Sequence, residues 1–152
     1  MLGKLAKYLR IAGIDTEYSR ANTQPRLIKT AEEEHRILLT RRREMTDFNI
    51  SAPCYFVNSN YPPEQFQEVL SHFNISSDIS QFFTVCLLCN RPLIKVDKTV
   101  ISGKVPEYVF ITINDFSQCP CCKKIYWKGT HYNNMARRLN RLISQSDVLN
   151  SA

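Results

Sequence analysis

Residues 86–93 read Cys86-Leu-Leu-Cys89-Asn-Arg-Pro-Leu, and residues 119–124 read Cys119-Pro-Cys-Cys122-Lys-Lys. Two thiolates that stand two residues apart in a tight turn can occupy adjacent corners of a tetrahedron, and the amide groups of the turn offset their charge. Two such turns, called knuckles below, complete a four-coordinate ion and leave no open position for a substrate. The spacing therefore predicts one structural zinc ion, held by Cys86, Cys89, Cys119 and Cys122 in a zinc ribbon.

The cysteines also leave alternatives open. Cys121 stands inside the second pair and competes with Cys122 for the fourth position, although the regular spacing favours Cys122. Free core cysteines or two disulfides are the other interpretations of the pairs. A thioredoxin-like redox pair is disfavoured, because neither pair lies in the expected strand-to-helix setting. Cys54, in an apolar segment, is expected to be a small core residue.

Short segments of β-type composition lie between and beside the knuckles, and no helix is expected there before residue 132. The predicted strands are Thr99–Ile101, Tyr108–Ile113 and Ile125–Trp127. A final helix then carries an apolar face formed by Met135, Leu139, Leu142 and Ile143. These patterns predict a zinc ribbon over residues 81–131 and a C-terminal amphipathic helix and tail over residues 132–152.

The first eighty residues alternate helical and buried-strand patterns, which is typical of an α/β layer with a parallel sheet. Apolar spacing predicts a helix from Leu2 to Leu9, and Gly13 is well placed to end it. A second helix is expected to follow Asn22 and Thr23, with Pro25 in its first turn, and a third to begin at Pro62. Strands are expected at Asp15–Tyr18, Arg36–Thr40 and Cys54–Val57.

Charge is segregated along the 152 residues, although the net charge is only +6. Residues 1–43 hold ten Lys/Arg against five Asp/Glu, residues 44–83 hold five acids and no Lys or Arg, and residues 84–152 hold ten basic and four acidic residues. Basic segments on both sides of an acidic one suggest an extended polyanionic partner, most simply nucleic acid. A solvated surface with uneven charge is the alternative.

Nothing in the sequence indicates a membrane or a secretory route. No apolar run approaches the roughly 18 to 20 residues that a membrane span needs. The first residues lack the long apolar core and the cleavage site of a signal peptide. With paired cysteines and no such signal, an intracellular, reducing compartment is expected, either the cytoplasm or an organelle matrix.

Several segments together resemble one known family, the Mut-seven C-terminal RNase domain. The matching segments are Met1-Leu-Gly-Lys-Leu-Ala-Lys-Tyr-Leu-Arg10, Gly13-Ile-Asp15, Arg36-Ile-Leu-Leu-Thr-Arg41, the two knuckles and Ile125-Tyr-Trp-Lys-Gly-Thr-His131. They span nearly the whole chain in the order of the family. The resemblance implies a PIN-like nuclease fold followed by a zinc ribbon, and Mg²⁺- or Mn²⁺-dependent RNase activity from clustered carboxylates.

The chain departs from the family pattern where that chemistry would need acids. The family has a strand ending in an aspartate before the first helix, whereas this sequence begins at Met1, so the first strand is expected to be missing. An acidic pair is replaced by residues 21–24, and a T-R-D motif reads Thr40-Arg41-Arg42. Asp15 remains as a candidate catalytic carboxylate, but a single carboxylate does not make a site for a hard cation.

Three basic groups are candidates for binding nucleic acid, with a solvated surface as the alternative for each. They are Arg41, Arg42 and Arg43 after a predicted strand, Lys123, Lys124 and Lys128 in the ribbon, and Arg137, Arg138 and Arg141 on the final helix. Tyr126 and Trp127 lie among the ribbon lysines, where aromatic rings can stack on bases. Trp127 is otherwise expected to be buried against the first domain, and His131 to pack or to form hydrogen bonds.

These patterns lead to one hypothesis about function and two alternatives. The hypothesis is an RNA-associated protein of PIN-type RNase descent with weak or no hydrolysis, acting within a ribonucleoprotein complex or alone. The first alternative is an active Mg²⁺- or Mn²⁺-dependent RNase whose carboxylates are relocated or omitted. The second is an adaptor subunit that contacts a protein partner through its ribbon.

Overall fold

The structure, a computed structural model, describes residues 1–150 of the chain, with side chains through residue 146. Residues 151 and 152 of the predicted tail lie outside the described residues. The first helix, α1 (Gly3–Ile11), ends at Gly13, whose φ of +81° favours glycine. A Cβ at Gly13 would also lie 2.3 Å from the carbonyl oxygen of Gln81, so the backbone just after α1 packs closely against the backbone at Gln81.

A two-stranded parallel sheet follows the second helix. Helix α2 (Gln24–Glu33) begins with Pro25 in its first turn, and strand β1 (Leu38–Thr40) pairs with β2 (Cys54–Phe56). A 3₁₀ turn, Arg43–Thr46, lies between the strands. A small apolar cluster of Ala31, Leu38, Met45 and Ala52 holds α2 against this sheet, and Cys54 packs beside it.

The largest apolar core lies among α1, α3 (Pro62–His72) and α5 (Thr130–Asn150). Leu5 and Leu9 of α1, Phe66 of α3, and Leu139 and Ile143 of α5 are buried there. The apolar stripes that the helical spacing predicted thus face one another, and α5 returns from the ribbon to complete the core of the N-terminal part.

The segment that carries the two knuckles, called the ribbon here, contains a three-stranded antiparallel sheet in the order β3 (Ile94–Val96), β4 (Phe116–Gln118) and β5 (Ile125–Trp127). Between β3 and β4 lie a 3₁₀ turn, Lys98–Ile101, and the short helix α4 (Glu107–Thr112). Ile101, Val109 and Phe116 form a separate core at the centre of this unit.

Three of the predicted strands are wrong. Residues 14–19 form no strand, because Asp15 and Thr16 bond to the side chains of Arg36 and Asn90. Thr99–Ile101 belongs to a 3₁₀ turn that Asp97 caps by accepting the amide of Thr99 at 2.8 Å. Residues 107–112 form α4 despite their β-type composition, because Pro106 starts a helix that buries Val109 in the ribbon core. The last helix also begins two residues earlier than predicted, at Thr130.

Candidate metal centre and basic surfaces

The four knuckle cysteines converge on one point. The Sγ atoms of Cys86, Cys89, Cys119 and Cys122 all lie within 4.8 Å of one another, and the Cys86 and Cys122 sulfurs are 3.7 Å apart. A tetrahedral zinc ion with Zn–S bonds of about 2.3 Å separates its sulfurs by about 3.8 Å. This donor set fits a closed zinc site, and none of the six cysteines forms a disulfide.

The two knuckles have the same backbone geometry. The amides of Asn90 and Lys123 donate to the carbonyls of Cys86 and Cys119 at 2.9 and 3.0 Å, and both residues have a positive φ, of 55° and 63°. Cys86 therefore corresponds to Cys119, and Cys89 to Cys122. Cys121 takes the place of the exposed Leu88 and is itself exposed. This equivalence favours Cys122 over Cys121 as the fourth ligand.

Hydrogen bonds favour the charged form of the buried Cys86 sulfur. The Cys89 amide lies 3.4 Å from the Cys86 Sγ, and the Tyr126 hydroxyl lies 3.3 Å from the same sulfur. Burial opposes ionisation of Cys86, but the hydrogen bonds from Tyr126 and from the knuckle amides outweigh it and lower its pKa to about 6. The hydroxyl of Tyr126 thus faces the cysteine cluster, while its ring centroid lies 5.8 Å from the Lys124 ammonium.

A buried arginine joins the first knuckle to the N-terminal helix. Arg10 of α1 is only 6% exposed. Its Nε donates to the carbonyl of Thr16 at 2.8 Å, and its Nη1 donates to those of Leu87 at 2.8 Å and Leu88 at 3.3 Å. The guanidinium therefore holds the peptide groups between Cys86 and Cys89. Local sequence gives no signal for this role of Arg10, since its partners lie up to 78 positions away.

The candidate carboxylate Asp15 lies in the same junction and is hydrogen-bonded to two neighbouring side chains. It accepts hydrogen bonds from Arg36 Nη1 at 3.1 Å and Nη2 at 3.0 Å, and from Asn90 Nδ2 at 2.5 Å. The bonds from Arg36 lower the pKa of Asp15. Among the described residues, the cysteine cluster is the one group of three or more metal-ligating side chains, so Asp15 joins no carboxylate site there.

The three arginines after β1 differ in their surroundings. Arg41 donates to the carbonyls of Val57 at 2.5 Å and Asn58 at 2.6 Å, and so ties the carboxyl end of β1 to that of β2. Arg42 and Arg43 are exposed, and the Arg43 guanidinium lies 4.6 Å from the ring centroid of Phe56. Two of the three predicted arginines are therefore accessible to an anion.

The ribbon lysines do not form one group. Lys123 and Lys124 line an open groove beside Trp127, whereas the Lys128 ammonium lies 5.6 Å from the ring centroid of Tyr132. Trp127 packs near Phe116 in the ribbon core, so its predicted burial against the first domain is wrong. His131 is exposed, which contradicts the packing role expected of it. Lys104 and Gln118, which the sequence did not single out, complete the groove.

The arginines of α5 form part of a wider basic surface. Arg137, Arg138 and Arg141 are exposed, on the side of α5 opposite the buried Leu139. The Arg138 guanidinium lies 5.8 Å from the ring centroid of Tyr8 in α1. Lys4 precedes Tyr8 by one helical turn and is also exposed, which places basic side chains on both helices next to this ring.

Comparison with known proteins identifies the family of this chain but no individual relative. No helix in the described part of the chain is long and apolar enough to cross a membrane. No curated protein and no solved structure matches the chain. The sequence model of one family, described as the Mut7-C RNAse domain, matches residues 1–139. Because this match covers most of the 152 residues, the chain belongs to the Mut7-C RNase domain family.

Proposed function

We propose that this protein is a zinc-containing, RNA-binding member of its family that hydrolyses RNA weakly or not at all. The proposal rests on which residue types lie at the carboxyl ends of the two parallel strands. Ligand sites in parallel sheets lie at this edge. Here it carries Arg41, Arg42 and Arg43 where a nuclease needs carboxylates.

A hard divalent cation does not fit this edge. Mg²⁺ and Mn²⁺ require clustered oxygen ligands, usually carboxylates. The described part of the chain brings no three acidic side chains together, and Asp15 is held by Arg36 and Asn90. Arg42, which is exposed directly after β1, would repel a metal ion there.

The basic surface formed by α1 and α5 supports RNA as the partner. Helix α1 contains no Asp or Glu, and neither do residues 130–146 of α5. Lys4, Tyr8 and Arg138 adjoin one another across these helices, and Arg137 and Arg141 continue the surface along α5. Such an acid-free surface suits a phosphodiester backbone, which lowers the free energy of binding by releasing counterions.

The proposal includes the architecture and the location of the protein. We assign a PIN-like α/β domain to residues 1–80, a Cys₄ zinc ribbon to residues 81–131, and an amphipathic helix and tail to residues 132–152. Zinc serves as a structural ion, since four thiolates leave no open position. Free cysteines agree with a reducing intracellular compartment.

A second candidate function is an adaptor within a ribonucleoprotein complex. The observation that favours it is the outer side of α4, where Tyr108 is 69% exposed and Ile111 is 67% exposed. These two side chains are one helical turn apart and offer an apolar contact to a protein partner. An adaptor would need no RNA affinity of its own, and this separates the two candidates.

The first prediction concerns catalysis. Single-stranded and structured RNA incubated with the protein and Mg²⁺ or Mn²⁺ is expected to be cleaved no faster than without added metal. The physical reason is the absence of a carboxylate cluster among the described residues. Cleavage is measured by gel analysis of end-labelled RNA. Robust metal-dependent turnover that is lost in Asp15→Asn would instead establish an active RNase.

The second prediction concerns the arginines of α5. Replacing Arg137, Arg138 and Arg141 by Gln should weaken RNA binding and reduce the slope of log affinity against log salt by about 2, at roughly 0.7 per phosphate for single strands. Stability should change by less than about 0.5 kcal/mol, since these side chains are exposed. Binding is measured by fluorescence anisotropy at several salt concentrations.

A second variant, which loses two positive charges elsewhere, controls for lost charge as such. Arg20→Gln with Arg26→Gln removes two exposed arginines outside α1 and α5 and should leave the slope nearly unchanged. Equal slopes for the parent and the α5 variant would exclude this helix as an RNA contact. Absence of RNA binding by the parent would favour the adaptor.

A further inference from the structure

We propose that the groove on the zinc ribbon is a subsite for a single-stranded nucleotide segment, with Lys104, Lys123 and Lys124 bound to phosphates and Trp127 stacked on a base. This inference rests on the RNA binding proposed above. It adds a second surface, separate from α5, and a mode of recognition that requires unpaired bases.

The groove forms only when distant parts of the ribbon come together. Lys104 follows the 3₁₀ turn after β3, where its amide donates to the carbonyl of Ile101 at 2.9 Å. Gln118 ends β4, Lys123 and Lys124 belong to the second knuckle, and Trp127 ends β5. The open groove has a volume of about 720 Å³, within the range of ligand sites in proteins.

The lining carries positive charge without any opposing acid. Three of its six residues are lysines, and the others are Gln118, Ile125 and Trp127. Lys104 and Lys124 are exposed, while the Lys123 ammonium donates to the carbonyl of Pro120 at 2.8 Å. The Gln118 amide donates to the carbonyl of Lys123 at 2.9 Å, which holds β4 against the knuckle and fixes the wall of the groove. The groove is thus an open, positively charged surface that attracts a polyanion.

Trp127 adds an aromatic surface on which a base can stack, which a phosphate site alone does not provide. Its indole is half-buried: it packs near Phe116, with ring centroids 6.4 Å apart, and it also lines the groove. An aromatic side chain beside lysines is the combination that binds single strands, because bases stack on the ring while ammonium groups hold the backbone. A duplex keeps its bases stacked on each other and offers only phosphates.

The chain provides its own probe for this site. Trp127 is the single tryptophan of the protein, so intrinsic fluorescence reports on the groove. Titration with an eight-nucleotide oligouridylate should quench this fluorescence, and a duplex of the same length should quench it much less. Equal quenching by the duplex would overturn base stacking on Trp127.

The lysines are tested with a matched pair of variants. Lys104→Gln with Lys124→Gln should weaken oligonucleotide binding at least tenfold and reduce the salt slope by about 1.4, or roughly 0.7 per lost phosphate contact. Arg91→Gln with Lys95→Gln removes two exposed ribbon cations that do not line the groove, and should leave both quantities nearly unchanged. Zinc content and circular dichroism confirm that each variant is folded.

The outcomes separate this inference from the proposed function. One outcome is that anisotropy detects RNA binding while the fluorescence of Trp127 is not quenched and the lysine variant binds like the parent. That result would exclude the groove as a nucleotide subsite and would leave the proposed RNA binding intact. If the parent binds no RNA by either method, the proposed function fails, and the groove fails with it. An acidic peptide that competes with the oligonucleotide and quenches equally would assign the groove to a protein partner instead.

Discussion

Removal of zinc is expected to unfold the ribbon while α1, α3 and α5 stay largely helical. Each strand of the ribbon sheet has only three residues, and its separate core centres on Ile101, Val109 and Phe116. A unit this small rarely holds its fold without a metal or a disulfide. Structural zinc in small peptide modules contributes roughly 10–16 kcal/mol of apparent binding free energy, far more than this core can replace.

Metal analysis of protein purified without chelator should give about one zinc per chain, as a single tetrahedral site requires. Cys86→Ser and Cys119→Ser should each lose most of this zinc and the near-ultraviolet signal of the ribbon. Both sulfurs are completely buried, so each serine would leave the centre with three thiolates and a hydroxyl inside the protein.

Two cysteines outside the cluster provide controls. Cys54→Ser and Cys121→Ser should both retain about one zinc per chain, since Cys54 packs beside β1 and Cys121 takes the exposed knuckle position. If Cys121→Ser lost its zinc and Cys122→Ser kept it, Cys121 would be the fourth ligand and Cys122 the spare thiol. Disulfides in both pairs of freshly prepared, reduced protein would overturn the metal site itself.

Local patterns were enough to predict most of the elements that surround this centre. The knuckles depend on a turn of a few residues, so the spacing of Cys86 and Cys89 already fixes their geometry. The helices α1, α2 and α3 each carry an apolar stripe that periodicity reveals, and β1 and β2 pair in parallel as their continuous apolar runs indicate.

The sequence predictions fail where contacts between residues distant in the chain override the local preference for a helix or a strand. Tyr108–Ile113 has the composition of a strand, yet it forms α4 because Val109 fills the ribbon core and Pro106 starts a helical turn. The sequence marks Asp15 as a candidate catalytic acid, whereas in the structure it bonds to Asn90, which is 75 residues away. Nothing in the sequence around Lys104 places it beside Lys123 and Trp127.

Arg10→Met is expected to lower the free energy of unfolding by about 3 kcal/mol and to loosen the first knuckle from α1. Methionine retains much of the apolar stem of arginine but donates no hydrogen bond. The carbonyls of Thr16, Leu87 and Leu88 would lose their donor at a site where Arg10 is nearly inaccessible to water. Each unsatisfied buried group costs about 1–3 kcal/mol, and partial access of water reduces the total.

Urea unfolding of the zinc-loaded protein measures this loss, with Lys7→Met as the matched control. Lys7 lies on the same helix and is exposed, so its replacement should change stability by less than about 0.5 kcal/mol. Zinc content of Arg10→Met should stay near one per chain, because the guanidinium bonds to knuckle carbonyls and not to sulfur. A variant as stable as the parent would show that water replaces the guanidinium at these carbonyls. Arg10 would then not be the tether between α1 and the metal centre.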